Sequence, residues 1–439
     1  MKTLALLLAL AGSCLADDWP HWLGPDGDGT WKEEGILEKF PEGGPKILWR
    51  KPVGLGYSGP SVADGKVFLM DYQKAEGDLV NNPGAAIDLK GKERVLCFDA
   101  RTGDLLWEDA VDRDYKVSYP SGPRATVTVA GGKAYALGAM GTLRCLDAAD
   151  GKPLWEKNLV ELYKPKFPIW GYSAHPLVHD GKVITMAGGE GSSVVALDAT
   201  TGEEAWRSLS SEEPGYCPPT LLEWAGTTQI LVFTPNEVAG LDPATGKPLW
   251  THALKPNFSM AIAAPQFHDG LLYASGQGRI GALLRLDKEK HAVERVWTGK
   301  PKNSLYSSNA TPVIVDGTMY GPDAETSKLT AVDLKDARRL WATAEPVTGN
   351  ATDRVRHGTV FLTHHEPSGR FFLFNETGEL IIAKLTPEAF TLIDKAKVLE
   401  PTNEAFGRKV VWTAPAFAEK SAFLRNDKEL VRVDLSAEP

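Results

Sequence analysis

Only four cysteines occur in this 439-residue chain: Cys14, Cys97, Cys145 and Cys217. Cys14 falls in an N-terminal targeting segment, and the other three form an odd set without close spacing. That excludes a disulfide framework and the paired-ligand rhythm of a zinc site. Positive charge is also in short supply, with 48 Lys and Arg against 57 Asp and Glu for a formal net charge of -9. The chain therefore lacks the basic surplus that neutralises phosphates, and nucleic acid is not an expected partner. Long apolar runs are missing as well, so no transmembrane span is expected. Apolar material is nonetheless ample: 43% hydrophobic against 24% charged residues supply a core and exclude a disordered chain.

Residues 1–16 read as an export signal, with Lys2 at the positive start, an apolar run from Leu4 to Ala11, and small residues after it. Cleavage after Ala16 suits an ordinary signal peptidase. Leu10-Ala11-Gly12-Ser13-Cys14 is an imperfect bacterial lipoprotein box, which makes a lipid anchor at Cys14 the alternative. Either way the expected location is the periplasm or cell envelope, or else the medium. Residues 17–44, rich in Pro, Gly and acid and carrying Trp19, Trp22 and Trp31, read as an extended arm packed across the rest. Exposed indoles are costly, and Pro and Gly prevent a long helix there.

The dominant feature is a repeat, Asp-x-x-[Thr/Asp]-Gly-x-x-x-Trp. Its four strong copies are Asp99, Gly103 and Trp107; Asp147, Gly151 and Trp155; Asp198, Gly202 and Trp206; and Asp242, Gly246 and Trp250. Successive Asp positions lie 48, 51 and 44 residues apart, the span of one four-stranded propeller blade. Asp suits the turn because its carboxylate accepts from backbone amides, and Gly because it tolerates left-handed dihedrals. Cys97 and Cys145 each stand two residues before a repeat Asp, as small apolar residues inside strands.

Weaker copies at Asp287 with Trp297 and at Asp333 with Trp341 extend the register to six blades. A Pro four residues before an Asp-Gly turn marks where several blades begin, as at Pro60, Pro176, Pro265 and Pro312. A seventh blade, with strand-like segments at 371–374 and 380–385, has lost both Asp and Trp, and an eighth runs from Trp412 to Asp434. Only five residues follow Asp434, too few for an outer strand, so Ile47-Leu48-Trp49 is expected to supply it. The fold class that follows is all-β: a single eight-bladed β-propeller over residues 45–439, its last blade closed by an N-terminal strand that hides the sheet edges. A monomer is expected.

The segments that lead into the blades carry a second, looser repeat of an aromatic beside a small residue: Tyr57-Ser58, Tyr119-Pro120-Ser121, Tyr172-Ser173, Tyr216-Cys217, Phe258-Ser259 and Tyr306-Ser307. Together with Arg124, Trp170, His175 and Asn309 they are candidates for a ring at one mouth of the central channel, suited to a planar ligand or a peptide. The competing reading is that each Tyr packs between blades and each Ser caps a turn, because repetition alone produces such rings. His364-His365-Glu366 is the most metal-like run, yet neighbours on a strand point to opposite faces. Asp323 and Glu325 are candidate calcium oxygens or a general base, and Asp26-Gly27-Asp28-Gly29 resembles part of a calcium loop with its other ligands missing. No catalytic residue and no metal site emerges. Asn257, Asn309, Asn350 and Asn375 head glycosylation sequons, which repetition explains for the two Asn-Ala-Thr copies.

The repeat resembles that of the pyrroloquinoline quinone (PQQ) family of eight-bladed propellers, across nearly the whole chain after the signal. The run Trp19-Pro20-His21-Trp22-Leu23-Gly24-Pro25 further resembles PQQ-like propellers of planctomycete-type bacteria. The resemblance implies that Trp107, Trp155, Trp206 and Trp250 dock between adjacent blades. It also implies two functional branches: quinoprotein dehydrogenases that use PQQ and calcium to oxidise alcohols or sugars, and scaffolds like the outer-membrane protein assembly lipoprotein, which bind other proteins. The adjacent cysteines of the alcohol-oxidising branch and a Cys-x-x-Cys-His haem motif are both missing, and the chain is short for those enzymes. The expectation is therefore a non-catalytic scaffold for an envelope protein or peptide, without cofactor, and the PQQ- and calcium-dependent dehydrogenase is the alternative.

Overall fold

The computed structural model describes residues 18–287, 292–299, 304–307, 309–350 and 355–437; the signal segment, Cys14 and the sequon residues Ala351 and Thr352 lie outside them. Eight four-stranded antiparallel blades follow one another, spanning 61–112, 128–158, 177–208, 220–253, 266–298, 313–343, 360–397 and finally 416–434 with Ile47–Pro52. The inner strands sit side by side: Ser61–Ala63 of blade one touches both Thr128–Ala130 of blade two and Ala416–Ala418 of blade eight. This closes a ring. Ile47–Pro52 pairs antiparallel with Glu429–Asp434, with Trp49 opposite Arg432, so the eighth blade takes its outer strand from the N-terminus. Trp412 is not part of the eighth blade's sheet, whose inner strand begins at Ala416.

The repeat residues join blades through one recurring contact. In each outer hairpin the Trp stands opposite a small residue, Cys97 for Trp107, Cys145 for Trp155, Ala196 for Trp206 and Gly240 for Trp250, and the register slips by one immediately afterwards. The bulge aims the indole toward the following blade. There Trp49, Trp107, Trp155 and Trp206 donate Nε1–H to the carbonyls of Ala100, Ala148, Ala199 and Pro243, at 2.9, 3.3, 3.4 and 3.0 Å. Each acceptor directly follows a repeat Asp, whose carboxylate holds the turn by accepting from amides such as Thr102 N at 2.7 Å and Thr245 N at 2.8 Å.

The repeat Gly lies beneath the preceding blade's indole. A Cβ on Gly151 would fall 2.5 Å from Trp107, and one on Gly202 2.7 Å from Trp155, so contact as much as the φ of 76° at Gly151 requires glycine. Trp250 departs from the pattern: its Nε1–H bonds Gln229 Oε1 of its own blade at 2.7 Å. The cause is sequence, because Asp287 is followed by Lys288-Glu289-Lys290-His291 with no glycine seat for an indole.

The segment 18–44 crosses one end of the ring. Trp19 exchanges backbone hydrogen bonds with Val62 of blade one, and Pro20 O accepts from Val129 of blade two. Thr30–Trp31 adds in parallel to the inner strand of blade seven, and Leu37 N donates to Leu435 O beside blade eight. Trp31 is 1% exposed and packs on Phe372 and Phe417. Replacing Trp49 by Ala is expected to cost about 3–5 kcal/mol, and deletion of Ile47–Pro52 to abolish the cooperative thermal transition; circular dichroism melts that match the parent would contradict this account of ring closure.

Candidate functional site

Register along the lead-in segments decides which side chains meet at the axis. Four residues before the first residue of each inner strand stand Tyr57, Arg124, Ser173 and Tyr216 in blades one to four. Ile262, Asn309, Arg356 and Trp412 hold the same place in blades five to eight. All eight line one cavity of about 1220 Å³ that opens at the loop face. Behind this ring lies a smaller chamber of about 170 Å³, with Trp19, Trp22 and Leu23 of the N-terminal segment among its walls. The arm thus obstructs the far end, and the site is a funnel with one mouth.

His175 lies in the chamber, two residues beyond ring residue Ser173. Its imidazole stacks on Trp22, with centroids 4.8 Å apart and planes 10° apart, and Nδ1 accepts from Thr126 N at 2.7 Å. An amide can only donate, so Nδ1 is unprotonated. Burial, reinforced by His21, lowers the imidazole pKa to about 3.

The ring itself carries cationic and aromatic groups. Among the described residues Arg124 makes no ion pair: its guanidinium donates to the carbonyls of Gly122, Ser118 and Tyr119, the last two at 2.8 and 2.7 Å, and lies 5.3 Å over the Tyr57 ring. Burial lowers its pKa, with the Glu93 carboxylate among the groups that oppose the shift. Arg356 lies 5.1 Å over Phe406 and makes no ion pair among the described residues. Tyr57 Oη and Tyr216 Oη are buried without a hydrogen bond of normal geometry, although Ser121 and Asn403 lie near the first and the Trp170 backbone near the second. Burial raises the Tyr57 pKa to about 12 and the Tyr216 pKa further, so both phenols are neutral donors.

Two hairpins and a turn build the rim. The long hairpin of blade one, Lys66–Glu76 and Ile87–Asp99, carries a tip from which Asn81 Nδ2 donates to Asn403 Oδ1 at 2.6 Å. Asn403 belongs to the small hairpin Asn403–Ala405 and Arg408–Val410, whose Phe406 stacks on His357 at 5.1 Å and borders Tyr119 and Trp412. The turn Asn257–Ser259 brings Phe258 to the opening.

Of the residues singled out in the sequence, Tyr57, Tyr119, Arg124, Trp170, Tyr216 and Asn309 line the mouth, and Asn309 Nδ2 donates to Thr359 Oγ1 at 3.0 Å. Tyr172 and Tyr306 do not. Tyr172 stands one residue before ring position Ser173 and therefore points the other way, into the core, where its hydroxyl donates to Ala187 O at 3.0 Å. Tyr306 stands three residues before Asn309 and is 2% exposed. Asp323 is tied up by Arg339 at 2.9 Å, Thr326 Oγ1 and Tyr306 N, and Glu325 pairs with Arg279 at 2.7 Å. His364 packs on Phe371, whereas His365 packs on Trp31 and bonds Glu33 O. Asp26 pairs with Lys32, and Asp28 accepts from Thr30 N. The motif residues lie in the outer hairpins, away from the funnel. Ile262, Arg356, Phe406 and Trp412 escaped the sequence reading, though Ile262 and Trp412 each stand three residues before the Pro that precedes an inner strand.

A family profile described as outer membrane protein assembly factor BamB matches residues 91–343. The chain belongs to that family. Its BamB-type propeller is similar to the crystal structure of BamB from Moraxella catarrhalis, at 14% identity and a TM-score of 0.56 over 90% of this chain and 98% of that one. It is also similar to the quinohemoprotein alcohol dehydrogenase from Comamonas testosteroni, at 14% identity and a TM-score of 0.60 over 96% and 81% of the two chains. A europium-containing methanol dehydrogenase aligns at 12% identity and a TM-score of 0.57, over 95% and 89%. These likenesses establish the fold. A search of curated proteins gives no match. No described helix is long and apolar enough to cross a membrane.

The dehydrogenases raise the question of PQQ and calcium, and the donor set does not fit the metal. Calcium takes six to eight oxygen ligands, several of them carboxylate. The ring of this BamB-family propeller contains no carboxylate and two guanidiniums, and among the described residues no group of three His, Cys, Asp or Glu could hold an ion. The stacked, amide-bonded His175 yields a prediction. The folded state resists protonation between pH 6.5 and about 3 whereas the unfolded chain takes up the proton, so this residue contributes stability that is lost as pH falls through that window. The imidazole should show no NMR titration above pH 4, and His175→Gln should flatten the acid limb of stability; a midpoint near 6.5 would contradict the buried, neutral assignment.

Proposed function

We propose that this protein is an exported, non-catalytic propeller, monomeric and placed in the cell envelope by its N-terminal signal or by a lipid on Cys14, which holds a segment of another protein in its funnel. The observation that carries the reading is the composition of the axial ring: aromatic rings, two guanidiniums that make no ion pair among the described residues, and no carboxylate base. General base catalysis needs a proton acceptor within about 3 Å of the reacting group; His175 Nδ1 is already occupied by Thr126 N, and the imidazole of His357, which lines the funnel, is stacked on Phe406. Binding needs less: a concave surface, anchors and a few donors. The role carried in the family's description, outer membrane protein assembly, agrees with a partner-binding propeller.

The second reading, a quinone-dependent dehydrogenase, is favoured by the pairing of aromatic faces with guanidiniums, which suits a planar anion. Its test is direct. Purified protein mixed with PQQ and calcium should show no bound-cofactor spectrum and no dye-linked oxidation of alcohols or sugars; stoichiometric binding with turnover would replace the scaffold reading.

A further inference from the structure

The proposed binding role leaves open what chemistry the funnel selects, and three observations converge on an answer. First, cations outnumber carboxylates at the mouth: Arg124, Lys166, Lys255 and Arg356 line it against Glu212 and Glu213, and Glu213 is tied to Lys166 at 2.7 Å. The local sign opposes the net charge of -9 carried by the whole chain. Second, a guanidinium held only by backbone carbonyls meets two phenols at one side of the ring. The Arg124 guanidinium lies over Tyr57 and within electrostatic reach of Tyr216, and both phenol oxygens are buried without a partner of normal geometry. Buried polar atoms left unpaired are uncommon in folded proteins, and both of these belong to side chains that line the cavity.

Third, the rim holds strain that no core packing rewards. Phe258 and Ser259 both adopt left-handed dihedrals, with φ of 58° and 57°, and Phe258 is 73% exposed at the cavity opening. Consecutive non-glycine residues in that region are costly and concentrate at ligand clamps. An aromatic displayed on such a turn is a typical anchor for a partner.

We propose that the funnel captures an extended peptide by a carboxylate, seated against Arg124, Tyr57 and Tyr216 with Arg356 three blades away around the ring, while an apolar side chain of the same peptide packs on Phe258. The proposal rests on the binding reading above. A peptide is favoured over a small molecule because the cavity, at about 1220 Å³, exceeds the roughly 300–1,000 Å³ of ordinary small-molecule sites. A carboxylate is favoured over neutral groups because it alone accepts from guanidinium and phenol together in charge-assisted bonds.

The test uses the full chain and fluorescence anisotropy of fluorescein-labelled octapeptide pools, randomised except for a central Asp-Phe or Asn-Phe pair, each with a free or an amidated C-terminus. A charge-assisted contact corresponds to roughly a tenfold or greater difference in affinity. The Asp-Phe pool should bind at least that much more tightly than Asn-Phe if side-chain carboxylates are read. If instead the chain terminus is read, the free-acid pools should exceed the amidated ones by a similar factor. Arg356→Gln, at an exposed position, and Tyr216→Phe should each weaken binding severalfold without lowering the melting temperature, and Phe258→Ala should weaken all pools alike. Arg124→Gln should weaken binding most, but because it also removes bonds to three carbonyls, the other two polar variants carry the test. Equal binding of acidic and amide pools, unaffected by Arg356→Gln, would overturn the carboxylate proposal while the binding role stands. Failure of every pool to bind would overturn both.

Discussion

Four indoles seated on glycine turns hold this molecule together. Trp49, Trp107, Trp155 and Trp206 each cross from the outer strand of one blade to the Asp-Gly turn of the next, where an N–H meets a carbonyl and the ring meets a glycine without a side chain to block it. Every part of the contact has a sequence requirement. For Trp107, Trp155 and Trp206 a small residue opposite the Trp leaves room for it and a one-residue bulge aims it, whereas Trp49 stands opposite Arg432; in all four Asp locks the turn and Gly provides the seat. A blade alone is a small twisted sheet with two open edges and little core. Docked in series, the blades share clusters that run across their boundaries, such as the one joining Phe68 and Cys97 of blade one to Val129 and Ala136 of blade two.

Ring closure puts a constraint on the chain termini. Because Trp49 fills for blade eight the place that Trp107 fills for blade one, the first and last strands must find one another before the ring exists. The segment that precedes Trp49 then packs over the far end of the channel. One topological device thus closes the ring and, by placing Trp19 and Trp22 against the chamber, leaves a funnel with a single working mouth. The fixed offset from inner strand to ring residue converts the propeller's symmetry into eight positions at the axis, where the blades are free to differ. The chemistry of the protein lies in those differences.

The regular parts of the structure were legible in the sequence because they repeat. The 44-to-51-residue period gave blade size, the count gave eight, and the missing strand after Asp434 pointed to Trp49. The funnel was legible only in part, for a geometric reason. Tyr57-Ser58, Tyr172-Ser173 and Tyr216-Cys217 look equivalent as dipeptides, but Tyr172 is displaced by one residue relative to its inner strand, and in extended chain one residue reverses the face. The Pro that precedes six of the inner strands was the better ruler, since the ring residue stands three places before it in Tyr57, Ser173, Tyr216, Ile262, Asn309 and Trp412. Arg356 has no such Pro and went unnoticed, whereas Arg124, which also lacks one, was among the residues expected at the mouth. Phe406 lies on an inserted hairpin outside the repeat, and only the folded molecule brings it under Arg356.

The account stands or falls on the mouth being the face at which a partner is held. A photoreactive phenylalanine analogue placed at position 258, on the rim, and at position 105, on an exposed outer strand, tests this in intact cells. The account predicts one reproducible crosslinked species from position 258, absent from position 105 and reduced severalfold when Arg356→Gln is added. Crosslinking from position 105 alone, or a species at position 258 indifferent to Arg356, would contradict it.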